Sequence, residues 1–294
     1  MIGLELDDAA ATAVRVDAQG LVLARARVEA AGDLAAATAK ALAQVETSSA
    51  DPLGIAATNP DSPAMASMVA SLTSRLAGPF TAAGAVMSGT AAASAEGWTG
   101  AALGVQDVVY FAVAQHATGG ILRGGEAITG TRGRAGAVAW LSLNPVERED
   151  YRKTGCLEAE VAAAGLVRRL IWRIKAGDRS RVQDLVNGDL SAITVDHLLE
   201  AARAGDGVSF SVVRDTAKYL GMAAANLIVV ADPEMLVLGG IMASAADLLL
   251  EPLRVEMARR LPKPMMDALK IETAVLGADA AAIGAARLAI AARA

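Results

Sequence analysis

Residues 107–130 read DVVYFAVAQHATGGILRGGEAITG. The first eight are β-branched, aromatic and apolar, the composition of a buried strand. Residues 119–130 then give a second strand, a tight turn at Arg123-Gly124-Gly125 and a return. The start of the chain has the same outline. IGLEL (2–6) is a short apolar strand, ATAVRVD (11–17) and LVLARARV (21–28) alternate, and DAQG (17–20) turns between them. LGIAA (53–57), EMLVLGG (234–240) and KIETAVL (270–276) are further strands. AGAVMSG (83–89) runs from strand into loop, and TAAASAEGW (90–98) opens a helix that Ser88 or Thr90 would cap. Helical spacing fills 31–47, 64–77, most of 156–231, 243–260 and 279–293. Two clusters of strands, each followed by helices, predict an α/β protein of two lobes with mixed sheets flanked by helices. The smaller lobe would hold 1–105 and the larger 106–294, with the last helix packing back on the first lobe.

Composition narrows the function. Hydrophobic residues make up 54% of the 294 and aromatics 3%, with alanine the largest single contributor to the apolar count. Helices are therefore expected to pack closely on small side chains. The longest candidate membrane segment, YLGMAAANLIVVA (219–231), is too short to span a bilayer. The N-terminal MIGLELDD lacks a basic region and a cleavage site, so a cytoplasmic protein is expected. The net charge is −5, and Arg168, Arg169 and Arg173 on one helical face read as solvated surface, so nucleic acid is not expected as a partner. Cys156 is the one cysteine; alone it makes neither an internal disulfide nor a thiolate zinc site. His116 and His197 read as surface or packing residues.

The order of segments resembles the ROK family (repressors, open reading frames, kinases), whose enzymes are ATP-dependent hexose kinases of the actin-like ATPase fold. The resemblance rests on 97–140, on TGCLEA (154–159), on 213–240 with its Asp-Pro-Glu turn and glycine pair, and on AVLGADAAAIGAARLA (274–289). It is close from about 84 to 292 and loose before. It implies hairpins that hold phosphates and an Asn-Asp pair, ahead of an alanine-rich helix, that supplies the general base. Here that pair is Met87 and Ser88, and a hydroxyl cannot replace a carboxylate base. The glutamate and histidine that would meet the sugar after GRAG are Ala137 and Trp140. Trp140 would either stack on a ligand or fill the space of the histidine and its metal. Structural zinc is expected to be absent, since Cys156 is the one ligand in place. The first phosphate hairpin, Asp-x-Gly-Gly-Thr in the family, has Glu5, Asp7, Asp8 and Ala9 at its key positions. The two added aspartates either cap a turn or hold a cation. The second hairpin keeps Thr118, Gly119 and Gly120.

Glu158 matches a sugar-contacting glutamate and equally suits a helix N-terminus. Gly239 and Gly240 match a pair beside the adenosine and equally suit tight packing. The expected nucleotide-binding residues are thus Thr118, Gly119, Gly120, Gly239 and Gly240. The expected substrate-binding residues are Glu158 and Trp140, and none is expected to be catalytic. The reading that follows is a sugar-kinase homologue that has lost phosphotransfer, a pseudokinase binding a sugar, nucleotide or protein partner without a cofactor. A divergent hexose or amino-sugar kinase, using ATP and Mg²⁺ with Asp61 or Glu96 as relocated acid, is the alternative. A regulator is a further one, expected to lack a DNA-reading segment because the chain opens directly on its first strand. A homodimer through 213–266 is the default assembly.

Overall fold

Ten strands form two five-stranded sheets in a computed structural model, which describes residues 1–45, 53–60, 62–75 and 84–291. The first sheet contains β1 (Ile2–Leu6), β2 (Ala10–Val16), β3 (Val22–Glu29), β4 (Leu53–Ala57) and β5 (Val86–Met87). The second contains β6 (Val108–Val113), β7 (Ala117–Arg123), β8 (Glu126–Ala127), β9 (Met235–Gly240) and β10 (Lys270–Thr273). Their orders are β3-β2-β1-β4-β5 and β10-β9-β6-β7-β8. In each, two antiparallel strands flank one side of a central strand, β1 or β6, which pairs in parallel with β4 or β9 on its other side, and that strand pairs in parallel with β5 or β10 at the edge. The two sheets therefore repeat one topology, and each presents a hairpin turn where its central strand ends.

The central strands are buried because their side chains are apolar on both faces. Leu4, Leu6 and Ile55 pack on Ala37 and Ala41 of the helix Leu34–Gln44. Phe111, Leu236 and Leu238 pack into the larger core with Val213, Leu220 and Ile228 of the helix Gly207–Ala231. Between the sheets lie two alanine-rich helices, Ser88–Thr99 and Ala280–Ala291. A Cβ on Gly284 would sit 1.7 Å from the Ala91 carbonyl oxygen, so these two backbones touch. A Cβ on Gly3 would meet the Ala282 carbonyl at 1.8 Å, which puts the last helix against the first sheet. Small residues replace side-chain interdigitation with backbone contact here.

Several local expectations change. Neither Ser88 nor Thr90 caps the helix Ser88–Thr99: Met87 is its N-cap, in extended conformation and without a side-chain cap bond. Arg168 and Arg173 are paired with Asp150 and Asp178, and Arg169 turns inward to donate to Thr216 Oγ1, so this face is not simply solvated. The stretch 156–231 resolves into several helices, Cys156–Val161, Ala163–Lys175, Val195–Arg203 and Gly207–Ala231 among them. The ends of the helices expected at 31–47, 64–77 and 279–293 lie outside the described residues. Among the described residues no helix is long and apolar enough to cross a membrane.

Candidate functional site

The two hairpin turns face one cleft, and in both a carboxylate of the chain accepts from backbone N–H groups. After β1, Asp7 Oδ1 accepts from the N–H groups of Ala9 at 2.6 Å and Ala10 at 2.9 Å. This is the turn-capping geometry of an aspartate bonding backbone two and three residues on. After β6, the Ala117 N–H donates to Glu158 Oε2 at 2.9 Å, and His116 Nδ1 lies 3.2 Å from Glu158 Oε1. Glu158 reaches this turn from the first turn of the short helix Cys156–Val161. That helix is anchored one turn away, where buried Glu160 accepts from Tyr151 Oη at 2.5 Å and Arg148 Nη1 at 3.0 Å. The hydrogen bond to Glu158 raises the His116 pKa above 6.5, against the opposing effect of burial.

Two cavities adjoin these turns. The larger, about 700 Å³, is lined by Glu5, Asp7, Ser88, Tyr110, Thr118 and Gly240 among others. The smaller, about 670 Å³, is lined by Asp8, Met87, Arg134, Ala137, Trp140 and Glu158 among others. Thr58 and His116 border both, so the His116–Glu158 pair stands at the partition. Glu5 projects from β1 into the larger cavity. Burial raises its pKa from 4.5 to about 7, and the nearby Asp7 charge adds to the rise. The Ser88 hydroxyl partly offsets this, although it is buried and makes no hydrogen bond of normal geometry.

Of the residues singled out in the sequence, Thr118 and Gly240 line the larger cavity, and Glu158 and Trp140 the smaller. Gly119, Gly120 and Gly239 line neither. A Cβ on Gly120 would come within 2.2 Å of the Gly89 carbonyl oxygen, and one on Gly119 within 2.4 Å of Val138 Cγ1. Their smallness lets the start of the helix Ser88–Thr99 and the 136–138 segment sit directly on β7. A Cβ on Gly239 would meet the Tyr110 hydroxyl at 2.7 Å. Gly240 adopts φ +62° with the Val113 carbonyl 1.9 Å from a hypothetical Cβ, a conformation and a space that both demand glycine.

Trp140 does not fill an interior space: it is 58% exposed, at the cavity rim. Glu96 is no relocated cleft acid. It is fully buried and accepts from the N–H groups of Ala101, Val275 and Leu276. Asp61, the other candidate, lies outside the described residues. His116 is neither a free surface residue nor a packing one, since it is hydrogen-bonded to Glu158 at the partition. His197 is at the surface, in a capping box with Thr194. Two site residues escaped the sequence reading, His116 and Glu5 as an acid beside Ser88. Their signals were present: His116 interrupts a glycine-rich turn, and Glu5 ends a strand facing Ser88.

Comparison with known proteins gives this geometry a context. The ROK family model matches residues 16–292. A glucokinase from Halalkalibacterium halodurans is 33% identical over 196 residues, 66% of this chain and 59% of the relative. A xylose repressor from Caldicellulosiruptor bescii is 28% identical over 66% of this chain and 48% of its own length. The chain thus spans between about half and three fifths of these curated relatives. A ROK glucokinase from Streptomyces griseus, solved with glucose and AMPPNP, superposes with a TM-score of 0.84 at 25% identity, covering 99% of each chain. The ROK hexokinase from Thermus thermophilus gives 0.74, also at 25% identity, covering 100% of this chain and 99% of its own. With two mixed sheets of repeated topology in the actin-like ATPase arrangement of those sugar kinases, this chain belongs to the ROK family.

Proposed function

We propose that this chain binds a small ligand between its two sheets and does not transfer phosphate. The carrying observation is that carboxylates of the chain already occupy backbone donors in both hairpin turns, Asp7 those of Ala9 and Ala10 in the first and Glu158 that of Ala117 in the second. A phosphate cradle requires free N–H groups and a positive local field. Here each turn presents a carboxylate that already occupies backbone donors and adds negative charge, so the residues present do not fit a nucleoside triphosphate. The glutamate that the family resemblance assigns to a sugar is spent on His116 and Ala117. At the position of the family's base, Ser88 offers no carboxylate. Cys156 packs with Tyr151 and Ala159, a donor set that does not suit zinc.

The test is an assay of ADP release with ATP, Mg²⁺ and a panel of hexoses and amino sugars, beside calorimetry for each compound. The reading expects no ADP above background, and sustained turnover with any sugar overturns it. Restoring the base by Ser88→Asp is expected to leave the protein inactive, because the capped hairpins remain.

A second reading is favoured by Glu5. A carboxyl of pKa about 7 is well poised for general base catalysis near neutrality. A divergent hexose kinase using it would lose 10²–10⁴-fold in rate, in order of magnitude, on Glu5→Gln. Glu5 lines the larger cavity with Thr118 and Gly240, away from Glu158, which makes this reading the weaker. A homodimer through 213–266 belongs to the main reading. Val229 and Val230 are exposed on the helix Gly207–Ala231, and Val255 on the neighbouring helix. Sedimentation equilibrium giving the monomer mass would remove it.

A further inference from the structure

The larger cavity is a formed site whose chemistry selects against anions. Two basic side chains line it, Arg27 and His116, and both are engaged. Arg27 is directed to Glu29 and to Thr12 Oγ1, and His116 to Glu158. Two carboxyl groups line it as well, Glu5 and Asp7, and Asp279 lies close enough to act on Glu5. Asp7 is committed to its own turn. The Ser88 hydroxyl beside Glu5 is enclosed by protein, whereas Glu5 lines the cavity and, among the described residues, has no ion-pair partner within 4 Å. A buried polar group left unmatched is costly and marks a place where a ligand supplies the partner. Ala92, Ala112, Ile241 and Ala280 give the wall an apolar stretch, beside the neutral polar side chains of Thr58, Gln115 and Ser244. A volume of about 700 Å³ suits a ring-sized organic molecule.

We propose that this cavity binds an organic amine: a phosphate-free molecule with an apolar body and an ammonium group that pairs with the Glu5 carboxylate. The inference rests on the reading that phosphoryl transfer is absent, and names the ligand class of that cleft. An ammonium opposite Glu5 replaces the missing countercharge, and a pair formed away from bulk water is stronger than one at the surface. A phosphate or carboxylate ligand would meet Glu5, Asp7 and Asp279 with no uncommitted cation among the lining residues.

Binding carries a pH signature. The charged groups that face Glu5 are Asp7, Arg27 and Asp279, with Tyr110 and His116 also on the cavity wall. The Tyr110 phenol is pushed upward by burial and by Glu96 and Glu5, so it stays protonated. Ionisation of Glu5 thus sets the lower limb, and affinity for an amine rises as pH increases through about 7.

The experiment uses the full chain and three matched probes, benzylamine, benzyl alcohol and benzoate, followed by saturation-transfer NMR and thermal shift at pH 8. Benzylamine is expected to bind at least about tenfold more tightly than the alcohol, a difference of about 1.4 kcal/mol, and benzoate not at all. Glu5→Gln is expected to abolish that preference while remaining folded, which its own melting curve checks. Equal binding of alcohol and amine, tighter binding of benzoate, or an amine preference that survives Glu5→Gln overturns the inference. Failure of the amine preference without ATP turnover sinks this inference alone. ADP release in the parallel kinase assay sinks the parent reading and this one together.

Discussion

His116 Nδ1 stands 3.2 Å from one oxygen of Glu158, while the other oxygen takes the Ala117 N–H at 2.9 Å. One carboxylate thus closes the β6–β7 turn and fixes the partition between two cavities. The arrangement makes the turn's charge state a property of pH.

The direction follows from linkage. Glu158 raises the His116 pKa above its ordinary 6.5, so the pair contributes its full stability below 6.5 and loses it as pH rises through the folded-state midpoint. Glu158→Gln should therefore destabilise the protein by about 1 kcal/mol more at pH 6 than at pH 9. The chain has two histidines, so proton NMR resolves both, and a His197 variant assigns them. The His116 midpoint is expected above 6.5 in the native chain and lower in Glu158→Gln. An unchanged midpoint would mean the pair does not form.

Glu5 has the opposite consequence. Its folded pKa of about 7 lies above the ordinary glutamate value of 4.5. The folded state holds the proton over a range where the unfolded chain has released it. Stability is thus lost as pH rises from about 4.5 to 7 and stays reduced above. A shift of this size corresponds to about 3 kcal/mol as an upper limit. Glu5→Gln, which keeps the shape and removes the charge, should raise the melting temperature at pH 8 and leave it nearly unchanged at pH 4. Equal effects at both pH values would show that Glu5 is solvated.

The two sheets were legible because their strands are apolar runs punctuated by turn residues, and DVVYFAVA and EMLVLGG admit few other readings. The cleft was legible only as a set of replaced positions. Ser88 invited a capping role from its residue type, but Met87 occupies the N-cap. Trp140 invited burial because it is large and apolar, yet it lies at the rim. The His116–Glu158 pair spans 42 residues, a separation at which local patterning carries no information. Glu96 had the right distance in sequence from Ser88 for an acid in the cleft. It is eight positions along the same helix, and its carboxylate belongs to the helix's far end.

Gly120 sits against the start of the helix Ser88–Thr99, where a Cβ would lie 2.2 Å from the Gly89 carbonyl oxygen. The obstacle is backbone, so no side chain can swing aside. Gly120→Ala should displace the helix start, separate Ser88 from Glu5 and cost roughly 1–3 kcal/mol, the usual range for overpacking a close contact. Chemical denaturation measures the loss. A variant as stable as the parent would mean that β7 and the helix are not in contact.

Glu96 gives the sharpest separation of structure from function. Its Oε2 accepts the Ala101 N–H at 2.7 Å, and its Oε1 accepts those of Val275 and Leu276 at 3.1 Å each. All three partners are donors, so both oxygens must be acceptors. Glu96→Gln places an NH₂ group opposite at least one backbone N–H, whichever way the amide turns. Two donors then face each other inside the protein, and the cost is that of an unsatisfied buried group lost from a charge-assisted bond, about 2–4 kcal/mol. Val275 and Leu276 precede the last helix, so their release loosens its attachment to the helix Ser88–Thr99. Denaturant unfolding should show the loss, while the ligand affinity of the remaining folded molecules should stay within about twofold, because Glu96 lines neither cavity. A variant of unchanged stability but abolished binding would instead return Glu96 to the cleft as a functional acid.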